Sequence, residues 1–207
     1  MPTRNNIKTI IFDLGGVYFT DGTKKAVEKI SLKYKIPSNQ ISLVLQGELG
    51  TQYRIGAFTV DEFWDSAKEK WGNKEIPSED LTALWLEGYE PIPETVNIIH
   101  RLNKKGYELI FLSDNVKERV EYLEERYKFL KNFKDGVFSH VIGTRKPDPA
   151  IYKHALKISS HPPSECVYID DKKDLLVPAR ELGMNTVHFE SPEQLRSDLI
   201  SKGVKLD

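Results

Sequence analysis

The sequence is poor in cysteine and contains no long apolar run. Cys166 is the single cysteine, which excludes an internal disulfide framework and a thiolate metal cluster. The chain begins MPTRNN, without an apolar leader, and no segment approaches the roughly 18 apolar residues of a membrane-spanning helix. We therefore expect a soluble, cytoplasmic protein that does not contact a membrane.

Neither sign of charge is in excess. Lys and Arg total 30 against 31 Asp and Glu, so no basic surplus indicates a nucleic-acid partner. The five histidines lack the spacing of a transition-metal site, and no GxGxxG or GxxxxGK loop indicates a nucleotide cofactor. The 207 residues, 39% of them hydrophobic, are typical of a globular chain of one or two domains, and we expect a monomer or a dimer.

Five short, mostly apolar segments alternate with helical patterns. The predicted strands cover residues 7–12, 108–113, 136–142, 167–170 and 185–189. Helical patterns cover residues 93–106, 116–130, 149–158 and 173–182. This alternation favours an α/β fold, a Rossmann-like parallel sheet with helices on both faces.

A second region, residues 20–90, contains only helical patterns. Thr59 and Glu62 form a capping box that opens one amphipathic stretch. We therefore predict a helical insertion after the first strand, with an α/β core made of residues 1–19 and 91–207. Residues 46–54 are polar and rich in glycine, and we interpret them as a loop facing the active site. Tyr53 and Arg54 are its candidates for substrate specificity.

Polar side chains follow several of the predicted strands. In an open parallel sheet, ligands bind outside the carboxyl ends of the strands. The residues at those ends are Asp13, Ser113, Asp114, Asp170 and Asp171, with Lys146 in the loop after the third strand and Asp174 a few residues beyond the fourth. Each alone is an ordinary turn former, helix cap or loop lysine, but all fall on one edge of one predicted sheet.

The charge of this edge indicates its ligands. Four carboxylates and one lysine leave about −3, and like charges 4 Å apart repel by about 4 kcal/mol at an effective dielectric constant near 20. Such a cluster protonates or holds a hard cation, and Mg²⁺ takes carboxylate oxygens and bridges to phosphate. Lys146 and the Ser113 hydroxyl would then bind phosphate oxygens, and Asp13 could attack phosphorus. The pattern predicts a phosphoryl-transfer site.

Four segments carry a family resemblance. DLGGV at residues 13–17, FLSDN at 111–115, RKP at 145–147 and YIDDKKD at 168–174 resemble, in order, the four motifs of the haloacid dehalogenase superfamily. The helical insertion after the first motif looks like the small helical cap of that superfamily. Residues 146–152 and 170–183 are similar to the sugar-phosphatase-like members and to the N-terminal phosphatase domain of soluble epoxide hydrolase.

The resemblance implies a role for each acidic residue of these motifs. Asp13 would be the nucleophile and a Mg²⁺ ligand, with the main-chain oxygen of Gly15 as a second ligand. Asp171, together with Asp170, would complete the protein's share of the metal ligands. Asp174 would support the metal indirectly.

The resemblance also implies how the phosphate is bound. Ser113 and Lys146 would bind the transferring phosphate, and Asp114 or Asn115 would add main-chain donors. The substrate would be a small phosphorylated metabolite, most simply a sugar phosphate.

Gly15 departs from the family pattern. Active phosphatases of this superfamily carry an Asp there, which acts as general acid and then base, and such assistance is typically worth 10²–10⁴ in rate. Two hypotheses follow. The enzyme either takes substrates whose leaving group needs little protonation, such as a sugar 1-phosphate, or it binds a phosphorylated metabolite or protein partner without efficient turnover. Asp21 and Glu48 are conceivable substitute acids.

Two other uses of a reactive aspartate fit the sequence less well. Halide displacement needs no metal, which would leave the acidic pair Asp170 and Asp171 uncompensated. Receiver-type phosphoacceptor modules are shorter, lack a helical insertion and carry their acidic pair on the first strand.

Overall fold

The computed structural model describes residues 6–206. Its strands are β1 (Thr9–Phe12), β2 (Glu108–Ser113), β3 (Asp135–Phe138), β4 (Cys166–Asp170) and β5 (Asn185–His188). They form one parallel sheet in the order β3-β2-β1-β4-β5, which confirms the predicted Rossmann-like α/β architecture. Residues 1–5 and residue 207 lie outside the described residues. The sequence predictions that residues 1–5 belong to the core and carry no apolar leader therefore fall outside them.

Helices form the rest of the structure. Those between β1 and β2 are α1 (Gly22–Tyr34), α2 (Ser38–Gln46), α3 (Glu48–Arg54), α4 (Val60–Trp71), α5 (Ser78–Leu86) and α6 (Pro93–Lys104). The later helices are α7 (Lys117–Tyr127), α8 (Ser139–Ile142), α9 (Pro149–Ile158), α10 (Val177–Glu181) and α11 (Pro192–Ser201), with 3₁₀ turns at Phe129–Asn132, Pro163–Glu165 and Lys173–Leu176. No helix in residues 6–206 is long and apolar enough to cross a bilayer.

The sheet is buried on both faces because successive strand residues alternate between two cores. Ile10 and Phe12 of β1 belong to one hydrophobic cluster, to which α6 and α11 contribute, and Ile11 belongs to the other, to which α9 and α10 contribute. All four residues of β1 are buried, and a buried Ile or Phe stabilises the fold by about 1.5–3 kcal/mol. The apolar segments predicted as buried strands therefore form the centre of the molecule.

Helices α1–α5, called here the inserted helices (residues 22–86), have an aromatic core of their own. Trp64 and Trp85 are buried, with ring centroids 5.7 Å apart, and Phe63 packs against both. The capping box predicted from Thr59 and Glu62 is present at the start of α4. These contacts assign Trp64 and Trp85 to packing between the inserted helices.

Two adjacent segments connect the inserted helices to the rest of the chain. Residues 18–22 lead out of the sheet and residues 88–92 lead back; together they are called the neck. The Thr20 amide donates to the Glu90 carbonyl at 2.9 Å, and the Ile92 amide donates to the Tyr18 carbonyl at 2.8 Å. A Cβ at Gly88 would lie 2.6 Å from the Gly22 carbonyl oxygen, so the two segments approach closely.

Two sequence predictions of local structure are wrong. The third strand ends at Phe138, and residues 139–142 form α8, at whose start the Ser139 hydroxyl accepts from the Asn115 amide and donates to the Arg54 carbonyl. Residues 48–54 form α3 and not a loop. Glycine suits position 50 of this helix, because a Cβ there would clash with the Leu45 carbonyl oxygen at 2.2 Å.

Candidate active site

The carboxyl ends of the three central strands bring the sequence-predicted polar residues together. Phe12 of β1 is in register with Phe111 of β2 and with Ile169 of β4. Asp13 therefore leaves β1 beside the last residues of its two neighbours, Ser113 and Asp170. The topology places these three side chains at one sheet edge, as the motif order in the sequence predicts.

Three carboxylates cluster at this edge. Asp13, Asp170 and Asp171 each offer an oxygen, and these oxygens all lie within 4.8 Å of one another. Asp170 is completely buried and Asp13 is 7% exposed. The cluster thus concentrates negative charge where water is scarce, so it needs cations.

Lys146 supplies one of these cations. Its ammonium lies 3.0 Å from Asp13 Oδ1 and 2.7 Å from Asp170 Oδ2, and the side chain is 2% exposed. Although burial opposes its charge, Asp13 and Asp170 raise the pKa of Lys146 well above its usual value. The lysine is therefore charged at neutral pH and joins two of the three carboxylates.

The carboxylates titrate differently because their surroundings differ. Burial raises the pKa of Asp13 to about 7; Lys146 opposes this rise, and Asp170 and Asp171 add to it. Burial also raises the pKa of Asp171, with Asp170 contributing. Burial opposes ionisation of Asp170 as well, but Lys146 and hydrogen bonds from Tyr168 and Lys172 lower its pKa. One lysine does not neutralise all three groups.

A hard cation fits the remaining charge. Asp171 Oδ1 is buried and has no hydrogen-bond partner among the described residues, so it is available as a ligand. Gly16 has a φ of +85°, and a Cβ there would lie 2.5 Å from Asp171 Oδ2. The glycine leaves the space that Asp171 occupies. Carboxylate oxygens are ligands that Mg²⁺ prefers, so Asp13, Asp170 and Asp171 suit this ion.

Tyr168 is a site residue that the sequence reasoning missed. Its hydroxyl donates to Asp170 Oδ2 and lies 3.0 Å from the Lys146 nitrogen. Asp170 Oδ1 accepts from the Lys172 amide at 2.9 Å. Because side chains two apart on a strand share a face, the i, i+2 spacing of Tyr168 and Asp170 carries a signal that could have identified the tyrosine.

Asp114 fixes the loop that carries Lys146. Its Oδ1 accepts from the Lys146 amide at 3.0 Å, and its Oδ2 accepts from Arg145 Nε at 3.0 Å. The Asn115 amide donates to Ser139 Oγ at 2.9 Å. The Asp114 side chain therefore positions the lysine, and the amide of Asn115 is engaged within the protein.

The sheet edge opens into a cavity of about 290 Å³. Asp13, Gly15, Ser113, Lys146 and Asp171 line it from the sheet side. Three arginines also line it: Arg54 from α3, Arg119 from α7 and Arg145 from the Lys146 loop. The inserted helices and the neck complete the wall with Asp21, Thr23, Gln46 and Tyr89.

The two specificity candidates from the sequence lie in different surroundings. Tyr53 is outside the cavity lining: its ring stacks on Phe63 with centroids 4.4 Å apart, and its hydroxyl donates to Glu118 at 2.6 Å. Arg54 lines the cavity, while its Nη1 donates to the carbonyls of Leu45 and Gly50 at 2.7 and 2.9 Å. The structure thus brings Arg54 to the cavity and leaves Tyr53 in the core of the inserted helices.

Three other acidic candidates are more exposed. Asp174 lies exposed in a 3₁₀ turn and does not line the cavity. Glu48 is also exposed and accepts from Gln52 at 2.6 Å. Asp21 does line the cavity, and it caps α1 by accepting from the Lys24 amide at 3.2 Å. Of the two substitute acids considered from the sequence, the structure brings Asp21 to the cavity and leaves Glu48 outside its lining.

Gly15 lines the cavity beside Asp13, and a Cβ built on it meets nothing within 4 Å. The backbone there is outside the left-handed region that favours glycine. The position therefore has room for a side chain, and the cavity lacks one at this point.

The family model described as haloacid dehalogenase-like hydrolase matches residues 7–179. The chain is 27% identical over 203 residues to a D-ribitol-5-phosphate phosphatase of Bacteroides thetaiotaomicron, which covers 93% of this chain and 97% of that protein. It is 24% identical over 186 residues to a sesquiterpene phosphatase of Aspergillus oryzae, covering 88% and 89%.

A solved structure also resembles this chain. It is an enzyme of the same family from Bacteroides thetaiotaomicron, in complex with magnesium and inorganic phosphate, and it superposes with a TM-score of 0.73 at 23% identity. The match covers 89% of this chain and 94% of that one. At this identity the likeness shows the fold.

Proposed function

Because the chain belongs to the haloacid dehalogenase-like hydrolases, we propose that it is a Mg²⁺-dependent phosphatase of a small phosphomonoester, with a sugar phosphate as the favoured class. The observation that carries the proposal is the cluster of Asp13, Asp171 and Lys146 at the wall of one cavity. The cluster combines a nucleophile, a metal-ligating carboxylate and a fixed cation. The phosphatases among its relatives and the magnesium and phosphate bound by its structural neighbour support the assignment.

Asp13 is the proposed nucleophile. An ionised carboxylate oxygen attacks phosphorus in line, a bond forms between that oxygen and phosphorus, and the bond to the ester oxygen breaks. Lys146 lies 3.0 Å from Asp13 and favours its ionised form. Water then cleaves the aspartyl-phosphate and releases inorganic phosphate.

Phosphate oxygens are held by groups already in place. Lys146 and the Ser113 hydroxyl line the cavity beside Asp13, so both lie where they could bind the transferring phosphate; Lys146 would exchange one of its present acceptors for a phosphate oxygen. Asp13, Asp170 and Asp171, with the main-chain oxygen of Gly15, would hold the Mg²⁺ ion, which supplies positive charge to the phosphate oxygens when bound.

The inserted helices are the proposed cap. They contribute Arg54, Gln46 and Thr23 to the cavity wall, and the neck is their covalent connection to the sheet. Movement about the neck would admit substrate, exclude bulk water during the reaction and release product. The inserted helices would then supply part of the wall that selects the substrate, whereas the reacting groups come from the strand ends.

Gly15 affects how the leaving group departs. No side chain at this position can protonate the departing oxygen, so esters with acidic leaving groups should react fastest. A sugar 1-phosphate has a more acidic leaving oxygen than a primary alcohol ester. The same glycine favours a second candidate function, in which the site binds a phosphorylated metabolite or protein partner without efficient turnover.

The test is phosphate release from p-nitrophenyl phosphate and from sugar 1- and 6-phosphates, with Mg²⁺ and with a chelator. Asp13→Asn removes the nucleophile, and Asp135→Asn is the matched control because Asp135 is exposed at the start of β3. Magnesium-dependent turnover that is lost only in Asp13→Asn is the expected result. Stabilisation by phosphate esters without turnover, even of the aryl ester, would favour the binding function.

A further inference from the structure

The cavity contains cationic groups that the chemistry at Asp13 does not use. Arg54 and Arg119 both line it and are 8% and 2% exposed. In the described part of the chain neither forms an ion pair with a carboxylate, whereas Arg145 pairs with Asp114. Two buried guanidinium groups without counter-charges therefore lie on the wall of a substrate cavity.

Arg119 has the least satisfied side chain of the three arginines. Nη1 donates to Asn115 Oδ1 at 3.1 Å, but Nε and Nη2 are buried and have no hydrogen-bond partner in residues 6–206. Buried polar atoms in folded proteins are almost always paired. Two open donors on one edge of a planar guanidinium match the two oxygens of a carboxylate or a phosphate.

The surroundings of Arg119 hold it in a fixed orientation. Its guanidinium carbon lies 4.4 Å from the ring centroid of Trp85 and 4.4 Å from that of Tyr89, so the group is enclosed by two aromatic rings. Such stacking partly compensates a cation for lost water, but an aromatic face accepts no bond in the plane of the guanidinium. The stacking orients the open donors and leaves them without acceptors.

The neighbouring charges do not neutralise the positive charge of Arg54 and Arg119. Burial lowers the pKa of Arg119, and Asp21 and Glu118 oppose this effect from beyond ion-pair distance. Burial, together with the charges of Arg119 and Arg145, lowers the pKa of Arg54 to about 10, although Tyr89 and Asp114 oppose this effect. The arginines therefore repel one another, and among the described residues no carboxylate lies at ion-pair distance from Arg54 or Arg119.

We propose that Arg119, with Arg54, forms a second anion subsite that selects phosphomonoesters carrying a further carboxylate or phosphate group. This inference rests on the proposed phosphatase function and deepens it, because it names the class of substrate. The scissile phosphate binds at Lys146 and Ser113, and the second anion accepts hydrogen bonds from Nε and Nη2 of Arg119. Two ligand chemistries share this recognition, so the test has an arm for each.

The experiment compares substrates that differ in the second anion. In the carboxylate arm, 3-phosphoglycerate is compared with glycerol 3-phosphate, and in the phosphate arm, fructose 1,6-bisphosphate is compared with fructose 6-phosphate. For the wild-type enzyme with Mg²⁺, we expect kcat/KM to favour the doubly anionic substrate about 30-fold or more in one arm, since a buried charge pair is worth at least this much. The arm that shows the preference identifies the anion.

Variants of Arg119 then test whether the preference comes from its guanidinium. Arg119→Gln should reduce the ratio to about threefold or less, mainly through KM, and Arg119→Lys should retain part of it because the charge remains. Arg126→Gln is the matched control, because Arg126 is an exposed arginine on the same helix. An equal loss on both substrates of a pair, with the ratio unchanged, would indicate a purely structural role and overturn the inference.

A binding measurement distinguishes the anion subsite from the proposed phosphatase activity. In Asp13→Asn with Mg²⁺ present, we expect the same doubly anionic esters to raise the melting temperature more than their partners do, and Arg119→Gln to abolish the difference. This result supports the subsite even if no ester is hydrolysed, in which case only the phosphatase proposal fails. Wild-type turnover of p-nitrophenyl phosphate without discrimination in either arm would refute the subsite and leave the phosphatase intact.

Discussion

Restoring an acidic side chain at position 15 should accelerate the hydrolysis of esters with poor leaving groups. A Cβ on Gly15 meets nothing within 4 Å and the backbone there is not left-handed, so Gly15→Asp can be accommodated without strain. The new carboxyl would lie on the cavity wall two residues after Asp13. General acid–base assistance is typically worth 10²–10⁴ in rate, and we expect the lower end, about 10²-fold in kcat, because the surroundings of the new group are not optimised.

The assay compares two leaving groups in three proteins. A sugar 6-phosphate leaves as an alkoxide that needs a proton, whereas p-nitrophenolate departs without one, so Gly15→Asp should affect the aryl ester by less than about threefold. Gly15→Asn is the control, since it adds nearly the same volume but cannot transfer a proton. Equal rates for the Asp and Asn variants on the sugar 6-phosphate would refute the reasoning that Gly15 marks a missing acid.

Three further changes test other parts of the structure. Gly16→Ala, which combines a left-handed φ with a Cβ 2.5 Å from Asp171 Oδ2, should lower phosphatase activity at least about 100-fold and weaken Mg²⁺ dependence, as measured by metal titration. Tyr168→Phe should lower kcat by about 10-fold, because it removes a hydroxyl that bonds Asp170 and contacts Lys146; an unchanged kcat would assign the tyrosine to packing alone. Glu108→Gln should cost about 2–4 kcal/mol of unfolding free energy at pH 7, because this carboxylate accepts bonds from Thr9, Lys134, Ser159 and Ser160. Burial opposes ionisation of Glu108, but these bonds hold its pKa well below its usual 4.5. In urea titrations, the difference in unfolding free energy between wild type and variant should therefore be constant above pH 5 and should become smaller as the pH falls to 3.

The sheet and its polar edge could be predicted because they depend on local signals. The apolar segments before Asp13 and up to Ser113 indicate buried strands, and parallel strands bring their carboxyl ends to one edge of the sheet. The structure also places Lys146 against Asp13 and Asp170, which follows from the same topology. Reasoning from strand ends therefore located most of the candidate site.

The features that escaped prediction depend on packing between distant segments. Arg119 is a charged residue on an amphipathic helix, and its burial follows from Trp85 and Tyr89, which reach it from the end of the insertion and from the neck. The glycines of residues 46–54 favoured a loop, yet residues 48–54 form α3, in which Gly50 permits a close approach to the Leu45 carbonyl that a Cβ would prevent. Neither arrangement has a signature within its own segment.

The neck also bears on how the molecule reaches its folded state. The central strands β1 and β2 are adjacent in the sheet, although Phe12 and Glu108 are separated by about 95 residues of chain, a loop that is entropically costly to close. The bond between the Thr20 amide and the Glu90 carbonyl bypasses about 70 of those residues. Once the inserted helices have folded and this bond has formed, the remaining path is about 26 residues, and the cost of then pairing β1 with β2 is lower by about 1 kcal/mol. The neck, which contributes to the cavity wall, would thus also make the pairing of the two central strands less costly during folding.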